Sequence, residues 1–217
     1  MLNYSMRFVG NHAVDSPAAG CATGALPMDQ SRESIQSLNG YFLIAAPTLL
    51  DPNFVRSVIL IIQHGSQGAM GVILNRPLKR TIGEAWQQVA ELPIDNAQPL
   101  HEGGPCPGPL IAIHQLPTFN ELQILSDVAV AISSESVAAL VRQNTQPAKF
   151  VFGNAGWAGG QLEAEINDGA WLLLPATPES VFAPAEGLWL KLTREASRRA
   201  TAPGIPDFIV PTDPHLN

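Results

Sequence analysis

The stretch Ser57-Val-Ile-Leu-Ile-Ile-Gln-His-Gly-Ser-Gln-Gly-Ala-Met-Gly-Val-Ile-Leu-Asn-Arg-Pro77 decides the fold class. From Val58 to Ile62 it is aliphatic without a break and mostly β-branched. Such a run reads as a strand covered on both faces, because a half-exposed strand would alternate with polar residues. His64-Gly-Ser-Gln67 is short, polar and glycine-containing, so a hairpin is the natural connection. Gly68 to Leu74 is then the returning strand. Its glycines stand where positive φ or close backbone approach is wanted. The strand ends in Asn75-Arg76-Pro77, two gripping polar side chains before a stop.

The rest of the chain is organised around this hairpin. Gly40-Tyr-Phe-Leu-Ile-Ala-Ala46 is a buried strand closed by Pro47, and Asp51-Pro-Asn53 makes an irregular turn. Thr81-Ile-Gly-Glu84 is a capping box that predicts a helix through Trp86 and Val89. Leu110–His114, Leu122–Leu125 and Val128–Ile132 read as strands. Ser133 or Ser134 caps a helix carrying Val137, Leu140 and Val141 on one face. Lys149-Phe-Val-Phe152 is a strand, followed by a second Gly-rich segment, Phe152-Gly-Asn-Ala-Gly-Trp-Ala-Gly-Gly-Gln-Leu-Glu163. Residues 159–166 read as a short helix, Trp171–Leu174 as a strand, Thr177-Pro-Glu as a helix start, and Leu188–Arg199 as a last amphipathic helix. Strands come first and are then mixed with helices, without βαβ alternation. That order predicts an α+β fold with a mixed, strongly curved sheet. The expected organisation is a mobile N-terminal arm over 1–37, a single α+β domain over 38–200, and a Pro-rich tail over 201–217. Met6–Val9 is a candidate edge strand within the arm.

Composition narrows the function. Charged residues make up 14% of the chain, well below the usual quarter, which leaves homo-oligomerisation open. Lys plus Arg number 12 against 19 Asp plus Glu, a net charge of −7, so direct nucleic-acid binding is not expected. The cluster Arg194, Arg198 and Arg199 reads as the solvated last turn of a helix. Two cysteines, Cys21 and Cys106, lack metal-ligand spacing and fit a reducing cytoplasm. No apolar run approaches a membrane span, and no signal peptide is evident. No metal or cofactor is expected.

The candidate binding residues are Asn75, Arg76, Gly103, Gly104, His114, Trp157, Gln161 and Glu163. Arg76 offers a bidentate fork to a carboxylate or phosphate. The alternative is a plain strand exit, with Asn75 bonding nearby backbone and Arg76 pairing an internal acid. Gly103-Gly104, within His101-Glu-Gly-Gly-Pro-Cys106, could present N–H groups to an anion, but the loop lacks the Lys and Ser/Thr of a nucleotide-binding loop. The start of the helix at Gln161 favours an anion for the same reason. Glu163 and Glu165, two apart, do not share a helical face. Cys106 with His101 or His114 as base would suit a hydrolase or thiol-dependent enzyme, although no third, orienting group is evident. His64 and His114 with Glu102 or Glu163 could form a metal site only if they converge. Satisfied structural histidines are the simpler reading.

Gly40-Tyr-Phe-Leu-Ile-Ala, Asp51-Pro-Asn-Phe54, Ser57-Val58, His64, Gly71-Val-Ile-Leu-Asn-Arg-Pro77, Gly103-Gly-Pro105, His114, Ala155-Gly-Trp157 and Gly160-Gln-Leu-Glu163 together resemble the AlgH/YqgE family over residues 38–195. The chain departs from the family pattern at Asn154, where an aromatic residue is usual, and at Cys106, where Val is common. The resemblance implies a bacterial cytosolic domain whose bifurcated sheet curls into a pseudo-barrel with flanking helices. It brings a transcriptional-regulator label, carried by some members, and no assigned reaction. The function expected is therefore regulatory or binding, with a protein partner or a small anionic ligand and no evident DNA-binding motif.

Overall fold

A computed structural model describes residues 37–90 and 94–200. The strand expected at Met6–Val9, the arm up to residue 36 and the tail over 201–217 lie outside them. The hairpin forms as read. Strand β2 (Val58–Gly65) pairs antiparallel with β3 (Gly68–Ile73), Ile59 opposite Ile73 and Gly65 opposite Gly68. Strand β1 (Tyr41–Ala45) flanks β2 on its other side. Val58, Leu60 and Ile62 point into one apolar cluster and Ile59 and Ile61 into another, all fully buried. Two-sided burial is why the run never alternates. At about 1.5–3 kcal/mol per buried aliphatic side chain, it is a principal source of stability.

Strand β4 (Pro77–Thr81) leads into helix α1 (Ile82–Ala90). Both arms of the capping box are made: Thr81 N–H donates to Glu84 Oε2 at 2.8 Å and Glu84 N–H to Thr81 Oγ1 at 3.2 Å. Strands β5 (Pro99–Glu102), β6 (Cys106–His114), β7 (Leu122–Leu125) and β8 (Val128–Ala131) follow, then helix α2 (Ser134–Arg142), capped by Ser133. Strand β9 (Ala148–Ala158), helix α3 (Gln161–Asn167), strand β10 (Trp171–Pro175) and helices α4 (Pro178–Val181) and α5 (Leu188–Ala200) complete the described chain.

Ten strands among the described residues form one mixed sheet: eight run in the order β10-β1-β2-β3-β9-β6-β8-β7, and off that path β4 pairs with β5, which pairs with β9. The sheet forks at β9. Along one edge β9 pairs antiparallel with β6, from Ala148 opposite His114 to Asn154 opposite Cys106. Along the other it pairs first with β5, in parallel over residues 150–152, and then with β3, antiparallel over residues 155–158. The resulting α+β pseudo-barrel has a central core closed by Val181, Leu188, Leu192 and Ala196 of α4 and α5. Helix α3 covers a second core with Leu162 and Ile166. Helices α1 and α2 cover a third with Ile82, Val137, Leu140 and Val141.

Two strands were not legible in the sequence. β4 is exposed and polar and begins at a proline, and β5 is four residues long. The second Gly-rich segment, expected to follow a strand that ends at Phe152, instead continues that strand as β9 to Ala158. The fork explains the glycines. A Cβ on Gly103 would lie 2.2 Å from the Gly153 carbonyl oxygen, and one on Gly104 2.4 Å from that of Asn154. Only glycine lets the β5–β6 turn press so closely on β9.

Candidate functional site

The two Gly-rich motifs meet as neighbouring strands: Gly68 faces Ala158, Ala69 faces Trp157 and Gly71 faces Ala155. Beside this pairing, hairpin residues 63–70 and Trp157 line a cleft of about 400 Å³. The cleft borders a hydrogen bond between buried His64 and half-buried Glu163, Nε2 to Oε1 at 3.1 Å. Leu38 N–H donates to His64 Nδ1 at 3.2 Å, so the ring hydrogen sits on Nε2 and points at Glu163. Both ring nitrogens are occupied, so the pair is a clasp between β2 and α3 and has no free nitrogen to act as a base.

The neighbouring carboxylate is equally committed. Glu165 Oε2 accepts from the indole N–H of Trp157 at 2.9 Å and of Trp171 at 2.8 Å, and its Oε1 accepts from Gln161 at 2.9 Å. Gln161 also accepts from Ala158 N–H, closing the turn into α3. The two indoles pack edge-to-face at 6.1 Å, and Phe54 stacks on Trp157 at 6.2 Å. Glu163 and Glu165 thus serve different neighbours, in keeping with their spacing.

The remaining candidates fall in three further places. Gly103 is built into the fork: its N–H donates to Phe152 O at 2.8 Å and its carbonyl accepts from Ile73 N–H at 2.9 Å. Its amide is therefore engaged in the sheet. His114, fully buried, lies at the end of β6. Leu116 N–H donates to its Nδ1 at 3.1 Å, and its Nε2–H donates to Phe119 O at 3.2 Å. Burial lowers its pKa. Cys106 is an exposed free thiol opposite Asn154, and His114, at the other end of β6, has no open nitrogen to offer it. His64 does reach Glu163, but no group of three His, Cys, Asp or Glu among the described residues could hold a metal ion.

Asn75 and Arg76 form the third locus. Asn75 Oδ1 accepts from Val58 N–H at 2.8 Å, and its Nδ2 donates to Arg56 O at 2.9 Å. The backbone role considered for Asn75 is present. Arg76 finds no internal acid, only the Val55 carbonyl at 3.5 Å. Nearby lie three groups that sequence reasoning did not bring together. Arg56, exposed and at φ 54°, holds its guanidinium 5.6 Å from the Trp189 ring centroid. Lys149, 6% exposed, donates to Ala183 O at 2.8 Å and to Leu74 O at 3.4 Å. Burial presses its pKa to about 8. His101, 3% exposed, makes no hydrogen bond of normal geometry at Nδ1; burial and the charge of Lys149 lower its pKa to about 4. A lone lysine opening the apolar run Lys149–Phe152 was the available signal.

A curled, forked α+β sheet with these motifs along its seam defines a recognisable class of domain. The AlgH-like family model matches residues 42–200, and the chain belongs to that family. A UPF0301 protein of Pseudoalteromonas translucida is 34% identical over 167 residues, covering 72% of this chain and 90% of the relative. One of Saccharophagus degradans is 37% identical over 169 residues, covering 73% and 82%. The solution structure of the AlgH protein of Pseudomonas aeruginosa superposes with a TM-score of 0.65 at 29% identity, covering 81% of this chain and 99% of that one. The crystal structure of DIP2367 from Corynebacterium diphtheriae has a TM-score of 0.61 at 24% identity, covering 82% and 94%, and shares the fold. No helix among the described residues is long and apolar enough to cross a membrane.

Proposed function

We propose that this protein acts without catalysis, as a cytoplasmic regulatory protein that binds a small anionic ligand or a protein partner. The observation that carries the reading is the state of His64 and His114; His101, the other base considered for Cys106, is 3% exposed, with its pKa pressed to about 4. His64 has both nitrogens committed to Leu38 and Glu163, and His114 has both committed to Leu116 and Phe119. General acid–base chemistry needs a nitrogen or carboxylate free to meet substrate, and nucleophilic chemistry needs a base beside the nucleophile. Recognition needs neither. Arg76, by contrast, keeps most of its donors free, and a cleft of about 400 Å³ stands beside Trp157.

Native mass spectrometry of the full-length protein, paired with pull-downs from extract, tests the reading. A retained small mass or a reproducible stoichiometric partner is expected. An unliganded species with no partner, together with turnover in an activity screen that Cys106→Ala or His114→Ala abolishes, would replace binding with catalysis.

A further inference from the structure

Three cations are tied to one another through two short stretches of chain, residues 55–58 and 74–76. Arg76 reaches the Val55 carbonyl, Asn75 holds the Arg56 carbonyl, and Lys149 reaches the Leu74 carbonyl. The α4–α5 connection closes the group: Lys149 also bonds Ala183 O, and Arg56 lies over Trp189 at the start of α5. None of the three has a carboxylate at ion-pairing distance among the described residues. Scarcity does not explain this, because Asp plus Glu outnumber Lys plus Arg by 19 to 12.

A buried ammonium is normally paired, since neutral carbonyls replace its hydration poorly. Lys149 carries three N–H donors and meets two carbonyls, which leaves one donor open. Beside it, His101 Nδ1 is buried and makes no hydrogen bond of normal geometry, although the Phe150 and Pro99 backbone lies close to the ring. Arg76 has five N–H donors and a single bond, at 3.5 Å. Arg56 is held at φ 54°, a conformation that non-glycine residues adopt at a cost and that recurs at ligand-binding positions. Planar guanidinium forks match the paired oxygens of carboxylates and phosphates.

We infer that the rim formed by Arg56, Arg76 and Lys149, with His101 behind it, is a binding site for the phosphate or carboxylate group of a small molecule. This rests on the binding reading above and gives it a place and a chemistry.

Isothermal titration of the full-length protein with inorganic phosphate, and separately with citrate, tests the site, with sodium chloride at matched ionic strength as control. Saturable heat is expected from at least one probe, and which one identifies the oxyanion. Arg76→Gln and Arg56→Gln should each weaken it by about tenfold or more. Arg56 is exposed and its guanidinium lies over Trp189, so its variant stays informative should Lys149→Met fail to fold. Heat reproduced by chloride, no saturable heat from either probe, or binding unchanged in both arginine variants would overturn the site. Those results would leave the broader binding reading to stand or fall on the retained mass or partner.

Discussion

Asn75 holds Arg56 by its carbonyl, Nδ2 to O at 2.9 Å, while its own Oδ1 takes the Val58 N–H at 2.8 Å. One side chain thus fixes the strained turn before β2 to the exit of β3. Asn75→Ala should leave a buried N–H unpaired and release Arg56 from φ 54°. A loss of about 1–3 kcal/mol is expected, measured by denaturant unfolding. Any phosphate or citrate affinity should fall with it, because Arg56 is no longer preset.

Two glycines beside the fork, Gly103 and Gly156, give a sharp contrast. Gly103→Ala would set a Cβ 2.2 Å from the Gly153 carbonyl oxygen and 2.5 Å from Val151 Cγ1. Backbone must move, and a loss of about 3 kcal/mol or more is expected. Gly156→Ala meets nothing within 4 Å, and this position has no positive φ. It should be neutral or stabilising by about 0.5 kcal/mol. Thermal unfolding of the two variants side by side checks both.

Buried His101 and Lys149 make stability depend on pH in two separate windows. The folded pKa of His101 is about 4 against an ordinary 6.5, so the unfolded chain takes up the proton first as pH falls. Stability is full above pH 6.5 and is lost as pH drops toward 4, by up to about 3 kcal/mol. The folded pKa of Lys149 is about 8 against an ordinary 10.5, so between those values the unfolded chain holds more protons and stability rises with pH, again by up to about 3 kcal/mol. Denaturant titrations across pH should show each slope flattened in its own variant, His101→Gln or Lys149→Met. A slope that survives its variant would place the titrating group elsewhere.

Glu165 gathers three N–H donors, from Trp157, Trp171 and Gln161. Glu165→Gln keeps the shape but puts an amide N–H against donors. A loss of about 1–3 kcal/mol and a red-shifted tryptophan emission are expected. Unchanged emission and stability would mean that the aromatic packing alone holds α3.

Much of this architecture could be read from residues whose signal is local. The capping box at Thr81–Glu84, the two-sided burial of Val58–Ile62 and the Ser133 cap all depend on neighbours a few positions away. What escaped was non-local. The glycines of β9 serve a strand because β5 and β3 exchange places along it, a fact no window around Gly153 contains. The candidate site was legible in part. Arg76 and Asn75 could be singled out as polar groups at a strand exit. Arg56 sits in a turn, Lys149 opens the apolar run of β9 and His101 lies in the short strand β5, and only the fold brings these segments together.

The most direct measurement is a ¹⁵N–¹H correlation spectrum of the full-length protein titrated with inorganic phosphate and then with citrate. The account predicts saturable shifts concentrated at the amides of Arg56, Asn75 and Arg76, with smaller ones near Leu74 and Ala183, and their disappearance in Arg76→Gln. Shifts confined to the hairpin cleft at residues 63–70 and Trp157, or no saturable shift with either anion, would contradict it.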